Sequence, residues 1–307
     1  MYLNNSQGLM NRYLFAIYRV IVPKPVRTSI LKKNLRKKIL SHFRNLPPED
    51  INDEQRRVLE YLEENPLSIF PYPFENLYKT SDIEVFFDEA NHLRYVLLDG
   101  KKLYFKKRWK EKRIRRSFSD LLREQDAGSP HRYLTPDFDV SEDDVIADIG
   151  AAEGNFSLSV IDRVKKAYML EYNREWAEAL NVTFRPYRDK AEIINKMVTD
   201  SDTDSTIRLD TFLKERKDIT FLKIDVDGAE QLVLNSFMET LGSDRPLKIA
   251  LCTYHRTNDE FDFTKLLKGY GFDVSPSRGY MVHFYDKKIA RPWLRRGLIR
   301  AVRSAAS

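Results

Sequence analysis

The chain has 307 residues, of which 42% are hydrophobic, and a formal net charge of +6. That length suits one large or two small domains with a full core, and no apolar run reaches the roughly 20 residues that span a bilayer. The single cysteine, Cys252, excludes an intrachain disulfide and fits a reducing, cytoplasmic compartment.

The charge is segregated along the chain. Residues 1–48 carry ten Lys or Arg and no acid, and residues 286–307 carry seven Lys or Arg beside one acid, Asp286. The stretch between them holds 35 basic and 45 acidic residues, so the centre is acidic and both ends are basic. Basic ends suggest an anionic partner, such as membrane lipid, a polyphosphate carrier or nucleic acid; the plainer alternative is a solvated tail.

In chain order, residues 1–45 read as partly helical, with Leu31, Leu35, Ile39 and Leu40 among regularly spaced Arg and Lys. The run Tyr13–Pro23 is too short to span a membrane, carries Arg19 and has no A-x-A-like site after it, so it is not read as a signal peptide. Glu49–Glu64 predicts a short helix, and Asn65–Phe74, with three prolines, an extended connector. From Ile83 the hydrophobic period becomes two, and Asp99-Gly100 between alternating runs predicts a three-stranded meander. A basic stretch with ten Lys or Arg, Lys101–Arg116, runs into a helix-compatible segment ending at Leu122, followed by the loop REQDAGSPHRYL.

From Val145 onward, apolar strand-like runs alternate with amphipathic helices, which implies a parallel sheet. The expected helices are Trp176–Tyr187, Leu209–Arg216 with Asp210 as its cap, Glu230–Leu241 and Phe261–Tyr270. The expected strands include Ala191–Asn195, Ile219–Asp227 and Pro246–His255. The last two, Gly271–Val274 and Gly279–Tyr285, lie too close for a crossover helix and predict an antiparallel hairpin at the sheet edge. The segment ARPWLRRGLIRAVRS reads as a basic tail, with Trp293, Leu294, Leu298 and Ile299 at helical spacing. It suits either a membrane-surface helix or one packed on its own domain. The expected division is an accessory region 1–123, a sheet domain 124–290 and a tail 291–307.

The organising stretch is VIADIGAAEGNFSLSVIDRVKKAYMLE, Val145–Glu171: strand, glycine turn, helix, strand, with a carboxylate at each strand end. A dinucleotide fingerprint would read G-x-G-x-x-G and a P-loop would continue into Gly-Lys-Ser/Thr. Here the pattern is D-x-G-x-x-x-G, Asp148, Gly150 and Gly154. An acid at the strand end repels phosphate and suits a cationic ligand. Asp148 and Glu171 lie one strand–helix–strand passage apart, the spacing at which the second acid receives ribose hydroxyls. These features point to S-adenosyl-L-methionine, bound by Asp148, Gly150, Ala151, Gly154, Asn155, Glu171, Tyr172 and Asp225.

DIGAAEGNF, FLKIDVDGAEQLVL (Phe221–Leu234) and LDTF (Leu209–Phe212) resemble the hallmark blocks of FkbM-type S-adenosylmethionine-dependent methyltransferases, over about Glu124–Tyr285. Two departures from that pattern are Asp227, where the family more often has Glu, and the strand ending CTYHR. The resemblance implies a Rossmann-like class I methyltransferase sheet, mostly parallel with an antiparallel C-terminal edge strand. Here that sheet would carry an N-terminal helical and β-meander extension. It also implies methylation of hydroxyls of sugars or natural products, hence a saccharide or glycoconjugate acceptor.

The candidates nearest the reacting atoms are Asp225, at the tip of a strand, Glu230, in the next helix, and His255, which titrates near neutral pH and suits a base. Each has a plainer alternative as a helix cap or a hydrogen-bonded loop residue. Tyr254 and Arg256 flank the histidine, and His131 or Tyr133 would lie over the cofactor. The five histidines are scattered, and no metal site is expected. A competing reading is a nucleic-acid-binding or RNA-modifying protein, supported by Lys101–Arg116 with Tyr104, Phe105 and Trp109 interleaved.

Overall fold

The computed structural model describes residues 23–286 and 289–304. The run Tyr13–Pro23 therefore lies, except for Pro23, outside the described residues. Helix α1, Lys24–Arg44, starts with Pro25 in its first turn and stops before Pro47-Pro48, where a helix can neither donate its bond nor continue. Helix α2, Asp53–Glu64, begins four residues later than expected because Asn52 and Gln55 form a capping box. Leu35, Ile39 and Phe43 of α1 and Val58 and Leu62 of α2 form a core with Val282, Phe284, Trp293 and Leu294, which ties the start of the described chain to its end.

The meander is present as β1 Phe86–Asp88, β2 Leu93–Leu98 and β3 Lys101–Tyr104, antiparallel throughout. Asp99 and Gly100 both take positive φ, as a two-residue hairpin requires. Helix α3, Glu111–Glu124, follows.

The main sheet is built from β4 Val145–Ile149, β5 Lys166–Leu170, β6 Ala191–Ile194, β9 Ile219–Ile224, β10 Leu247–Cys252, β11 Asp273–Pro276 and β12 Leu298–Arg303. A short parallel pair, β7 Met197–Val198 and β8 Thr206–Ile207, brackets a polar loop, residues 199–205. The helices between are α4 Asn155–Val160, α5 Arg174–Thr183, α6 Leu209–Glu215, α7 Glu230–Asn235, α8 Met238–Leu241 and α9 Asp259–Gly269. Among the described residues the sheet has seven strands in the order β11-β12-β10-β9-β4-β5-β6. It is parallel except for β12, which pairs antiparallel with β10 and β11. The fold is thus the mostly parallel α/β sheet with an antiparallel strand at its C-terminal side that the sequence implies.

Which residues form that strand is a correction. Gly279–Tyr285 is not a strand; its Met281 makes one isolated bridge, to Arg295. The antiparallel strand is Leu298–Arg303, within the stretch expected to be a basic tail, inserted between β10 and β11 with Leu298, Ile299 and Ala301 fully buried. Its arginines are consumed internally. Arg300 donates to the carbonyls of Tyr133 (3.1 Å) and Arg132 (2.6 Å), and Arg303 to those of Arg245, Leu241, Tyr270 and Thr240. Arg295 pairs with Asp286 at 2.6 Å and Arg296 with Glu54. A Cβ on Gly297 would lie 2.1 Å from the Pro130 carbonyl oxygen, so only glycine lets the final strand pass the 130–131 loop.

Asp210 is also reassigned. It accepts from the backbone N–H groups of Glu239 and Thr240, so it caps α8 rather than its own helix.

Each face of the sheet has its own core. Ile146 and Phe221 face one side, where Phe156 and Trp176 join Val96, Leu103 and Phe105 of the meander. Leu222 and Ile224 face the other, with Phe212, Phe237 and Phe263. The accessory meander is thereby packed on the same side as the glycine turn's helix.

Candidate active site at the ends of the central strands

Chain connections leave β4 toward β5 on one side and lead to β9 on the other, so the crevice beyond β4 and β9 is a topological switch point, where open sheets take ligands. Gly150 (φ +76) turns the chain there, and a Cβ on it would lie 2.2 Å from the Asp225 carbonyl oxygen. The amides of Gly150 and Ala151 donate to the Leu170 carbonyl at 2.9 and 3.3 Å, which locks the turn to the end of β5. Ala151 is buried, Gly154 (φ +82) precedes α4, and Asn155 is the first residue of that helix.

Asp148, expected to face the cofactor, lies beneath the turn and is fully buried. It is in register with Lys223 on β9. Lys223 Nζ lies 2.9 Å from Asp148 Oδ1 and donates to the Gly150 carbonyl at 2.8 Å, and Ser157 Oγ donates to Asp148 Oδ2 at 2.8 Å. Burial alone would lower the lysine pKa, but the Asp148 and Asp225 carboxylates hold it above the ordinary value. Asp148 and Lys223 act as a charged rivet that fixes the turn.

Glu171, just past β5, is buried, and each of its carboxylate oxygens takes one backbone bond: Oε2 from Ala152 (3.0 Å) and Oε1 from Asn173 (2.6 Å). Burial raises its pKa, against the pull of those bonds and of Lys223 and Lys106. Each oxygen keeps acceptor capacity, the chemistry needed for two vicinal hydroxyls. Tyr172 beside it is 67% exposed, an open aromatic face at the strand end. Glu153, inside the turn, is buried, and burial pushes its carboxyl up to about 8. A carboxyl in that state is mostly protonated near neutral pH and would ionise only beside a cation. The donor set therefore fits S-adenosylmethionine: Glu171 for ribose, Glu153 and Asp225 for positive charge, the glycine turn for close backbone approach.

Asp225, beyond β9, accepts from Tyr133 Oη at 2.8 Å, has Tyr254 Oη at 3.5 Å and lies 3.5 Å from His131 Nε2. Burial would raise its pKa, but the His131 bond and charge, with Lys223 and His255, hold it well below the usual carboxylate range. His131 and Tyr133, from the loop before β4, thus meet at the strand tip. Folding also gathers His131, Asp225 and Cys252, with possible ligand atoms within 4.8 Å, a grouping hidden by their distance in sequence. Burial holds the Cys252 thiol well above its ordinary pKa.

Glu230 is the first residue of α7. It is buried, accepts from the amides of Val226 (3.1 Å) and Gly228 (3.2 Å), and lies 3.0 Å from His255 Nδ1. It ties the β9–α7 turn to the loop after β10. His255 Nε2 is 3.8 Å from Asp227, whose side chain is exposed. Burial would lower the pKa of His255, but the Glu230 bond and the surrounding carboxylates raise it. A histidine biased toward its cation is a poorer proton acceptor at neutral pH than the sequence suggested. Arg256 donates to the Gly228 carbonyl at 2.7 Å and supports the same turn.

Residues 187–274 match the methyltransferase FkbM domain. The matched stretch contains the KIDVDGAE block and both Asp225 and Glu230, and the sequence resemblance to FkbM-type methyltransferases stands on it. The crystal structure of methyltransferase FkbM from Methylobacillus flagellatus KT is similar at 16% identity and TM-score 0.44. It covers 58% of this chain and 47% of its own, so the chain spans about half the length of that protein. An rRNA methylase from Streptococcus thermophilus is similar over 54% of this chain and 90% of its own, at 11% identity and TM-score 0.36. TrmK from M. capricolum, in complex with S-adenosyl-homocysteine, is similar over 55% and 66%, at 11% identity and TM-score 0.36. No curated protein matches the sequence.

Two residues absent from the sequence-based candidates belong to this neighbourhood. Glu153 stood inside the quoted motif, and its signal was an acid within an otherwise buried turn. Glu124, the last residue of α3, had no local signal. Burial pushes it up to about 7, with the charges of His131 and Asp225 acting on it.

Proposed function

We propose that the chain is an S-adenosylmethionine-dependent methyltransferase that methylates a hydroxyl of a saccharide or glycoconjugate. The observation that carries the cofactor is the set of three carboxylates, Glu171, Glu153 and Asp225, around a glycine turn at the switch point of a mostly parallel sheet. When bound, S-adenosylmethionine supplies an electrophilic methyl group on a sulfonium. Glu171 would receive the ribose hydroxyls, and Glu153 and Asp225 would offset the positive charge. Tyr133 and His131 hold the Asp225 carboxylate in place. Holding the acceptor oxygen in line with that methyl group would account for much of the rate, with the hydroxyl proton leaving to water. The hydroxyl acceptor follows from the likeness to FkbM-type sequences. Incubation with methyl-labelled S-adenosylmethionine and a panel of glycans is expected to give labelled glycan. Label on RNA and on no glycan would overturn the acceptor assignment.

We also infer a lipid-surface contact, narrowed to α1. Val26, Ile30 and Leu31 are exposed there beside Lys24 and Lys33, whereas Arg300 and Arg303 in the C-terminal stretch are spent on backbone carbonyls. Sedimentation with vesicles of anionic phospholipid is expected to retain the chain, and Leu31→Glu to release it. Equal retention of both proteins would oppose this contact.

A further inference from the structure

A cavity of about 300 Å³ lies between the accessory region and the sheet domain. It is bounded by α1, the 69–75 segment, α3 and the 281–285 loop. Two of its wall residues, His131 and Tyr254, are those that reach Asp225. The cavity and the strand tip therefore share a wall.

The lining has two characters. Phe70, Tyr254, Phe284 and Tyr285 give aromatic surface. Glu75, Asp120 and Glu124 face Lys32, Arg116 and Arg123, three acids against three bases. Two of the three bases are engaged. Arg123 lies 3.0 Å from Asp120 and 3.6 Å from Glu75, and the Lys32 ammonium sits 4.7 Å from the centre of the Phe284 ring. Glu75 Oε2 is buried without a hydrogen bond. An anionic ligand would meet these carboxyls with few free cations. A cationic ligand would meet the arginines and carboxyls that burial has pushed up to about 7, at Glu75 and Glu124. A neutral ligand with several hydroxyls and one less polar face satisfies both characters.

We propose that this cavity is the acceptor subsite, and that it takes a neutral polyol ring held by Glu124 and Glu75 against the Tyr254 and Tyr285 rings. Selection of the acceptor then lies largely in residues outside the stretch matched by the FkbM domain. The assignment rests on the methyltransferase reading, which places the methyl donor beside Asp225.

The test is ligand-observed saturation-transfer NMR on the full chain with S-adenosylhomocysteine present. The probes are methyl glycosides of neutral hexoses and 6-deoxyhexoses, a hexuronate and an amino sugar. Neutral glycosides should bind best, and Glu124→Ala, which removes the carboxyl, should weaken them about tenfold by loss of its hydrogen bond to the ring. Tyr285→Ala, at a 60% exposed position where folding is not at stake, should also weaken them. Tightest binding by the hexuronate or the amino sugar would overturn the proposal. So would no neutral glycoside binding, or binding indifferent to both variants. Calorimetry with S-adenosylhomocysteine alone separates the two ideas: glycoside binding without it would sustain the cavity as a polyol site and sink the methyltransferase reading.

Discussion

Glu153→Gln removes a buried ionisable group from the glycine turn while keeping its shape. Burial, the largest influence on Glu153, moves its carboxyl from an ordinary 4.5 up to about 8. Between those values the folded chain binds more protons than the unfolded one, so stability falls as pH rises. The contribution is fully present below 4.5, declines by about 1.4 kcal/mol per pH unit and is lost above about 8. From about pH 5.5 to about pH 8 the natural chain should therefore lose about 3 kcal/mol that Glu153→Gln retains. Urea denaturation followed by circular dichroism, on both proteins across that range, measures the difference directly. The two stability curves should converge toward pH 4.5 and separate above it, with the variant the more stable at pH 8. Parallel curves would refute the idea that the turn buries a carboxyl it cannot neutralise.

Other outcomes follow from the same geometry. Lys223→Met leaves Asp148 buried without its cation and should cost about 3–5 kcal/mol, read as a large drop in thermal midpoint; an unchanged midpoint would mean that the rivet under the turn is not a rivet. Arg300→Ala strips the Arg132 and Tyr133 carbonyls of their donor and should cost about 1–3 kcal/mol in denaturant titrations. In an NMR titration, His255 should ionise above the ordinary histidine value and move down in Glu230→Gln, because burial then acts without the opposing carboxylate. His283, lowered by burial and by the charge of His255 and Arg295, should titrate near 4.

The parallel sheet was legible in the sequence because its signals are local. The buried runs Val145–Ile149 and Ile219–Ile224 end in turn residues, and Asp99-Gly100 marks its hairpin with two positive φ angles. The antiparallel strand was not legible. In Leu298–Arg303 the arginines imitate the polar face of an amphipathic helix, yet the guanidinium groups of Arg300 and Arg303 reach carbonyls that only the folded chain brings near. Gly279–Tyr285 alternates well enough for a strand, but Gly279 and Tyr280 are held by Glu54 and Tyr72 from the accessory region, more than 200 residues away in the chain. The site shows the same division. The strand-end positions of Glu171 and Asp225 were legible, because the apolar runs before them are local signals. The pairing of Asp148 was not legible, because nothing local reveals that its register partner on β9 is a lysine. Glu124 becomes part of the site only when α3 packs beside the His131 loop.

The most direct test of the central claim is calorimetric titration of S-adenosylmethionine into the full chain, in buffers of different ionisation enthalpy near neutral pH. A cation held beside Glu153 should draw its carboxyl down from about 8, so binding should release protons to the buffer. It should vanish in Glu171→Ala, where the ribose acceptor is gone. No measurable binding by the natural chain, or equal binding by Glu171→Ala, would contradict the assignment of the glycine turn as the cofactor site.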